Sequence, residues 1–133
     1  MCTYIPRDAE KLLSPKMAEE DIPCFKVVVV DEGNIYSAIR KFPYQLKELY
    51  TEKGDFSTIY YSGYFYHHIE GGGFHSFANI RSAIENRENF DRDKEKAVIV
   101  QCHIPKGSLY YTGESLVGRL IYVSQSIVID EII

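Results

Sequence analysis

The sequence predicts an α+β fold, a single domain with a curved, mostly antiparallel sheet and one main helix at about residues 80–90. Strand-like segments lie on both sides of one helical segment and do not alternate with helices, which favours an antiparallel sheet over βαβ units. A length of 133 residues suits one domain with its own core. We expect this domain over residues 24–133, preceded by a polar, proline-interrupted N-terminal arm over residues 1–23.

The first two strands are predicted from segments that a turn separates. Residues 24–30, CFKVVVV, are continuous and largely β-branched, which is typical of a central buried strand. The DEGN sequence at residues 31–34 is a turn signal. IYSAI at residues 35–39 then predicts the second strand of a hairpin.

The next segments are less regular. Residues 40–56 fit either a short helix or an irregular loop with a strand at ELYT. The apolar face of that helix would consist of Phe42, Leu46, Leu49 and Tyr50. Residues 57–70, STIYYSGYFYHHIE, predict a strand that Gly63 interrupts, and the three glycines at residues 71–73 end it.

The helix is predicted from its cap and its apolar spacing. Asn79 is a good N-cap for a helix from about Ile80 to Phe90. The apolar stripe of this helix would be Ile80, Ala83, Ile84 and Phe90. The remaining segments predict a strong strand, a turn, a short strand and one or two terminal strands, at residues 97–104, 105–107, 108–114 and 120–133.

The composition argues against several classes of function. The formal net charge is −4 and the pI about 5.5, whereas binding of a long nucleic acid needs a basic face. No apolar run approaches the roughly 20 residues that cross a bilayer, so we expect no membrane association. The cysteines Cys2, Cys24 and Cys102 are odd in number and form no CxxC motif, which favours a reducing cytoplasm.

Several motifs together resemble a group of small proteins from bacteriophages and Bacteroidales-type bacteria. The resemblance covers residues 24–133 and rests on CFKVVVV, FPYQLKELY, GGGFHSFAN, AVIVQCHIPKGSLYYTGE and YVSQSIVIDEII. That group has no assigned activity, and the resemblance implies an intracellular protein, in the host cytoplasm if a phage encodes it. The two glycines before GFH and the pair His67-His68 depart from the group's pattern.

Metal and nucleophile chemistry are disfavoured by spacing. Neighbouring strand residues face opposite sides, so His67 and His68 do not share a metal ion, and no HExxH or CxxC occurs. Cys102 alternates with Val98 and Val100, which is typical of a small core residue. We therefore assign no catalytic residue, no metal ligand and no cofactor.

The best candidate site is a cradle around the glycine run. Glycines let backbone N–H groups approach a ligand, and the following helix N-terminus favours an anion. Tyrosine and phenylalanine rings offer stacking faces for a base. The predicted ligand-binding residues are Arg40, Lys41, Tyr64, Tyr66, His68, Gly72, Gly73, Phe74, His75, Ser76, Asn79, Arg81, Lys106, Tyr110 and Tyr111. The competing interpretation is a plain strand-to-helix turn in which His75 makes one structural hydrogen bond.

These features favour a non-enzymatic protein that binds a nucleotide-derived small molecule of the cyclic nucleotide or ADP-ribose type. In a phage, such a protein would sequester a nucleotide immune signal of the host. One alternative is an enzyme that transfers ADP-ribose or cleaves a nucleotide, with His75, Tyr110 or Tyr111, and Glu114 in the catalytic roles. Another is a protein-interaction module that inhibits a host factor. The Tyr-rich sheet allows a homo-oligomer, and the closing SIVIDEII segment would provide an edge strand for it.

Overall fold

The computed structural model describes residues 3–6, 13–38, 42–53, 56, 60–62, 66–69, 73–88, 96–115 and 117–133. In these residues the chain forms one strongly curled antiparallel sheet and one short helix, which confirms the predicted fold class. The helix, α1, spans Ile80–Glu88. The thirteen strands of the described residues are β1 Thr3–Pro6, β2 Lys16–Met17, β3 Ile22–Asp31, β4 Asn34–Ser37, β5 Pro43–Tyr44, β6 Leu49–Thr51, β7 Tyr60–Ser62, β8 Tyr66–Ile69, β9 Phe74–Phe77, β10 Ala97–Ile104, β11 Leu109–Glu114, β12 Leu120–Ser124 and β13 Ser126–Ile132.

The sheet is built around β3. The strand order is β6-β13-β10-β3-β9-β12-β11-β1-β8-β7, while β2 pairs with β11, β4 with β3 and β5 with β4. On one side, β3 pairs with β10 in an unbroken register from Ile22↔Ile104 to Val29↔Ala97. On the other side, its register with β9 consists of the pair Phe25↔Phe77. The long register explains why CFKVVVV and AVIVQCHI are both apolar, since each lies between two strands.

The β3–β4 hairpin confirms the two strands and the turn predicted for residues 24–39. Asp31 pairs with Asn34, so the loop contains only Glu32 and Gly33. Both have positive φ values, 51° and 80°, which is the geometry of a type I′ turn. Gly33 adopts this conformation without the steric cost that a side chain adds.

Two faces of the sheet carry different cores. The face that α1 covers, called the helix face, contains Val27, Phe77, Ala83, Ala97 and Ile121. The opposite face, called the Lys26 face, contains a larger core to which β3, β10, β13, β5 and β9 all contribute. Its buried residues are Ala18, Cys24, Val28, Ile35, Tyr44, Phe74, Val100, Cys102, Ile104, Ile127 and Ile129. Strand alternation assigns residues to one face or the other.

The helix begins where the sequence predicts, but of its predicted apolar residues only Ala83 packs against the sheet in the described chain. Asn79 Oδ1 accepts a hydrogen bond of 2.9 Å from the backbone N–H of Ser82, which confirms the N-cap. The predicted apolar stripe is confirmed at Ala83, which is fully buried, and wrong at Ile80 and Ile84, which are 38% and 42% exposed. Ser82 is buried beside Ala83, which fits small side chains where α1 lies on the sheet. The end predicted at Phe90 lies outside the described residues.

The segment after the glycine run differs from the predicted turn. Residues Phe74–Phe77 form strand β9, so Gly73 and the N-terminus of α1 lie at opposite ends of a strand. Gly73 and the helix N-terminus are therefore not adjacent along the chain, and a site that combines them stays a prediction. Apolar Phe74 and Phe77 each fill one of the two cores, which explains the extended conformation.

Strands also form in the segments whose prediction was open or different. Residues 40–56 contain β5 and β6, which supports the loop with a strand at ELYT over the helix. In residues 57–70, β7 and β8 pair with each other as two antiparallel strands. The N-terminal arm contributes an internal strand, since β1 pairs with both β11 and β8. The closing strand β13 lies between β10 and β6 and is not an edge strand.

Candidate functional site

Among the residues that the structure describes, those predicted to form a cradle lie on both faces of the sheet. Phe74 and Ser76 lie on the Lys26 face, and Tyr110 packs against its core. Tyr111 lies on the opposite side, in a core with Ile5, Phe56, Ile69 and Val123. These two groups are therefore separated by the thickness of the sheet.

Gly73 and His75 belong to the side of Tyr111. A Cβ atom added at Gly73 would lie 2.7 Å from Val123 Cγ1, and its φ of 105° also favours glycine, so this position serves packing. His75 Nδ1 lies 2.8 Å from Thr3 Oγ1, a hydrogen bond that joins β9 to β1. Glu114 is three positions from Tyr111 and faces the other way, so the catalytic set of His75, Tyr111 and Glu114 does not assemble.

The predicted polar groups of the helix and turns have local roles. The Asn79 side chain caps α1. Arg81 is 88% exposed and forms an ion pair with Glu85 on the same helix. Lys106 is exposed in the turn after β10, where its backbone N–H donates to Asp21. None of these contacts points to a shared ligand.

The other predicted residues have less structural description. Arg40, Lys41, Tyr64 and Gly72 lie outside the described residues. Tyr66 and His68 lie in β8, opposite Pro6 and Tyr4 of β1. Their assignment to a ligand site stays a prediction.

The structure brings a different set of groups together around Lys26. This residue lies two positions from both Cys24 and Val28 on β3 and therefore points to the same face as they do. Its side chain is half-buried, and Nζ donates a hydrogen bond to the backbone carbonyl of His75 on β9. Across the described part of the chain, no carboxylate pairs with this amine.

Two thiols and a hydroxyl group lie beside Lys26. Cys24 and Cys102 are directly opposite each other on β3 and β10, and their Sγ atoms are 3.2 Å apart. Both are free and fully buried. Ser76 Oγ is also buried, and within the described residues it has no hydrogen-bond partner of good geometry. Ser76 nevertheless lies near enough to Cys24 to affect the ionisation of that thiol.

The electrostatics of this cluster couple the amine to the thiols. Burial lowers the pKa of Lys26, which indicates that its amine end lies away from water, while Cys102 and Cys24 oppose this shift. The pKa of Cys24 is lowered, chiefly by a hydrogen bond from Cys102, and Ser76 and the charge of Lys26 add to the effect. Burial raises the pKa of Cys102 well above its ordinary value. Of the two thiols, Cys24 is therefore the one that loses its proton more readily.

Aromatic side chains flank the cluster on the same face. Tyr122 is directly opposite Ser76 on the neighbouring strand, and its ring meets that of Tyr110 edge to face at 5.8 Å. Both tyrosines are half-buried and pack against the core of the Lys26 face. Burial raises the pKa of Tyr122, so its hydroxyl stays neutral and can donate a hydrogen bond.

A second aromatic group closes part of the same core. Phe42, Tyr44, Tyr50 and Phe74 form a chain of edge-to-face and tilted contacts with ring centroids 5.2–6.5 Å apart. Burial also raises the pKa of Tyr44. Phe42 is 43% exposed, so the group reaches from the core to the surface. The Lys26 face thus combines one amine with two sets of rings.

His103 and Asp130 form a separate polar pair. His103 Nδ1 lies 2.8 Å from Asp130 Oδ2, and both side chains are partly exposed. Asp130 follows Ile129 at a register shift between β10 and β13, which turns its carboxylate toward His103. In the described residues, no group of three or more His, Cys, Asp and Glu side chains is arranged to hold a metal ion.

Comparisons with protein-family models, with curated proteins and with solved structures give no match to this chain. The resemblance to small phage and bacterial proteins therefore stays a prediction that rests on motifs alone. The described helix, α1, has nine residues, and no helix of the described chain is long and apolar enough to span a membrane.

The sequence reasoning missed Lys26, although the sequence contains a signal for it. In the predicted buried strand CFKVVVV, Lys26 is the only charged residue. Charged residues are rarely buried unless they have a partner or a function. The contact between Cys24 and Cys102 carried no such signal, because it depends on the register of two strands that are 78 positions apart.

Proposed function

We propose that the chain is a non-enzymatic binding protein for a small anionic molecule that carries an aromatic base, such as a cyclic nucleotide or an ADP-ribose derivative. The observation that carries this proposal is the half-buried amine of Lys26, which no described carboxylate neutralises. Its pKa, lowered by burial, rises again when an anion binds beside it. An anionic ligand is therefore favoured over a neutral or cationic one.

The surrounding side chains fit the rest of such a ligand. Tyr122 and Tyr110 offer ring surfaces, and base–aromatic stacking is sequence-tolerant and worth about 1–3 kcal/mol per base. One strand, β9, lies between Lys26 and Tyr122, which puts their backbones roughly 10 Å apart. Phosphate at the amine and base at the tyrosines is the arrangement that this spacing supports.

Binding is favoured over ADP-ribosyl transfer because the described residues predicted for that reaction do not meet on this face. A catalyst needs a titrating group within reach of the reacting atoms. Glu114 shares the face of Tyr110, but His75 faces the opposite side and bonds Thr3. If the chain is a phage protein, as its motifs suggest, sequestration of a nucleotide immune signal follows as its biological role.

Ligand capture tests the proposal directly. The protein is incubated with cyclic mononucleotides, cyclic dinucleotides and ADP-ribose derivatives, its thermal unfolding is followed, and the ligand is released by heat and analysed. A ligand at 100 times its Kd should stabilise the fold by about 2.7 kcal/mol, which raises the Tm by several degrees. Intact released ligand supports sequestration, whereas altered ligand supports the nucleotide-cleaving or ADP-ribosyl-transferring alternative.

The site is tested with Lys26→Met and a matched control. Loss of a charge-assisted hydrogen bond of about 1.5–3 kcal/mol should weaken binding roughly 10- to 100-fold. Lys53→Met removes an exposed lysine that follows β6, three strands away from β3, and should leave the affinity unchanged. Equal affinity in both variants would rule out the Lys26 face. If no compound in the panel raises the Tm, the small-molecule proposal fails and a protein partner becomes the leading alternative.

A further inference from the structure

Two cysteines that the proposed binding function does not use are in contact inside the sheet. Cys24 and Cys102 form a direct cross-strand pair, and their sulfur atoms are 3.2 Å apart. A disulfide bond is about 2.05 Å long, so the sulfurs need to approach by only about 1 Å. Directly opposite residues of antiparallel strands have Cβ atoms about 4.5–5.5 Å apart, close to the range that a disulfide requires.

We propose that Cys24 and Cys102 are a reversible oxidation site that closes into a cross-strand disulfide bond when the protein meets a peroxide. The proposal does not depend on the nature of the ligand. Neighbouring groups prepare the two sulfurs for different roles. Lys26 and Ser76 lie beside Cys24 and lower the pKa of its thiol, while burial raises the pKa of the Cys102 thiol.

The first step oxidises Cys24. Its thiolate attacks one oxygen of hydrogen peroxide, the O–O bond breaks, and the hydroxide that leaves takes up a proton and becomes water. Cys24 is then a sulfenic acid. Ser76 Oγ is buried near Cys24 without a partner among the described residues, and it can bond the new S–OH group.

The second step joins the two sulfurs. The Cys102 sulfur attacks the Cys24 sulfur, the S–O bond breaks, and the leaving hydroxide departs as water with the proton of Cys102. In total, two thiols and one peroxide give one disulfide and two waters. The immediate neighbour at 3.2 Å makes this closure faster than a second oxidation to sulfinic acid. A thiol reductant reverses the bond.

The test uses the full chain with Cys2→Ser, so that only the two internal cysteines remain. After treatment with hydrogen peroxide, the chain is unfolded in the presence of N-ethylmaleimide and weighed. The expected product is two hydrogens lighter than the reduced chain and takes up no maleimide. Peptide mapping should show Cys24 joined to Cys102, and dithiothreitol should restore two alkylated cysteines.

A second measurement removes the question of access to the buried thiols. The same chain is refolded in buffers that contain reduced and oxidised glutathione in varied ratios, and the disulfide fraction is measured at equilibrium. Formation of the bond at oxidising ratios, absent in Cys24→Ser and Cys102→Ser, supports the site. Two free thiols in the folded chain at the most oxidising ratio, or products limited to sulfinic acid and linked dimers, would overturn it.

Discussion

At the scale of single residues, Lys26 is the charged group that adjoins the larger core of the sheet. An amine in a buried strand costs stability unless it has a partner, and its described partner is one backbone carbonyl. In the proposed site the same cost favours an anionic ligand, because such a ligand would replace part of the solvation that the amine has lost. Cys24 and Ser76 add polar groups to the same small region.

The lowered pKa of Lys26 predicts how stability depends on pH. The unfolded chain holds the Lys26 proton up to about pH 10.5, whereas the folded chain releases it at a lower pH. Between these two values the unfolded state binds more protons, so this residue makes stability increase as the pH rises. In Lys26→Met the increase should be absent. Urea midpoints between pH 7 and pH 10.5 measure it.

Lys106→Met is the control for this prediction, because Lys106 is exposed. It should keep the full pH dependence of the wild-type protein. The same slope in Lys26→Met and in Lys106→Met would show that the Lys26 amine is solvated in the folded state.

At the scale of elements, α1 depends on its cap more than on its apolar residues. Ile80 and Ile84 are largely exposed, and Ser82 and Ala83 are the buried residues of the helix. A helix of nine residues is marginal without tertiary contacts. The bond from Asn79 therefore contributes a larger share of its stability than it would in a helix with a full apolar stripe.

Asn79→Ala should destabilise the protein by about 1 kcal/mol, since the N–H of Ser82 loses its acceptor. Arg81→Ala is the matched control in the next turn, because that side chain is 88% exposed and its ion pair is worth little. Its effect should stay within about 0.5 kcal/mol. Chemical denaturation measures both. A loss of stability from Arg81→Ala that equals the loss from Asn79→Ala would contradict this account.

At the scale of the whole molecule, the N-terminal strand completes the sheet. β1 pairs with β11 on one side and β8 on the other, so the β7–β8 pair connects to the rest of the sheet through it. Thr3 is fully buried and bonds His75 on β9. Thr3 and Ile5 are thus part of the core of the sheet.

Gly113→Ala should weaken this connection. An added Cβ atom would lie 2.6 Å from Thr3 Cγ2 and 2.8 Å from the backbone oxygen of Tyr4, which forces β1 away from β11. We expect a loss of about 1–3 kcal/mol and faster hydrogen exchange in β1 and β8. Gly118→Ala is the control: its φ of 81° also disfavours a side chain, but no atom lies within 4 Å of the added Cβ, so it should leave hydrogen exchange in β1 unchanged. Unchanged exchange in β1 after Gly113→Ala would contradict the prediction.

The sequence predicts the elements that local pattern determines. The β-branched runs of β3 and β10, the Glu32-Gly33 turn and the Asn79 cap all follow from residues close together in the chain. The insertion of β1 between β11 and β8 joins residues that are distant in sequence and has no local signal. The same holds for the predicted site, because Phe74, His75, Tyr110 and Tyr111 alternate between faces that only the register of β9 and β11 distinguishes.

Strands β3 and β9 share one register pair, so few backbone contacts join the two halves of the sheet along this line. Lys26 adds a side-chain contact there, since it lies on β3 and its amine donates a hydrogen bond to the carbonyl of His75 on β9. In the proposed site, a phosphate that binds the Lys26 ammonium group would compete with this hydrogen bond. Ligand binding would then also weaken the connection between β3 and β9.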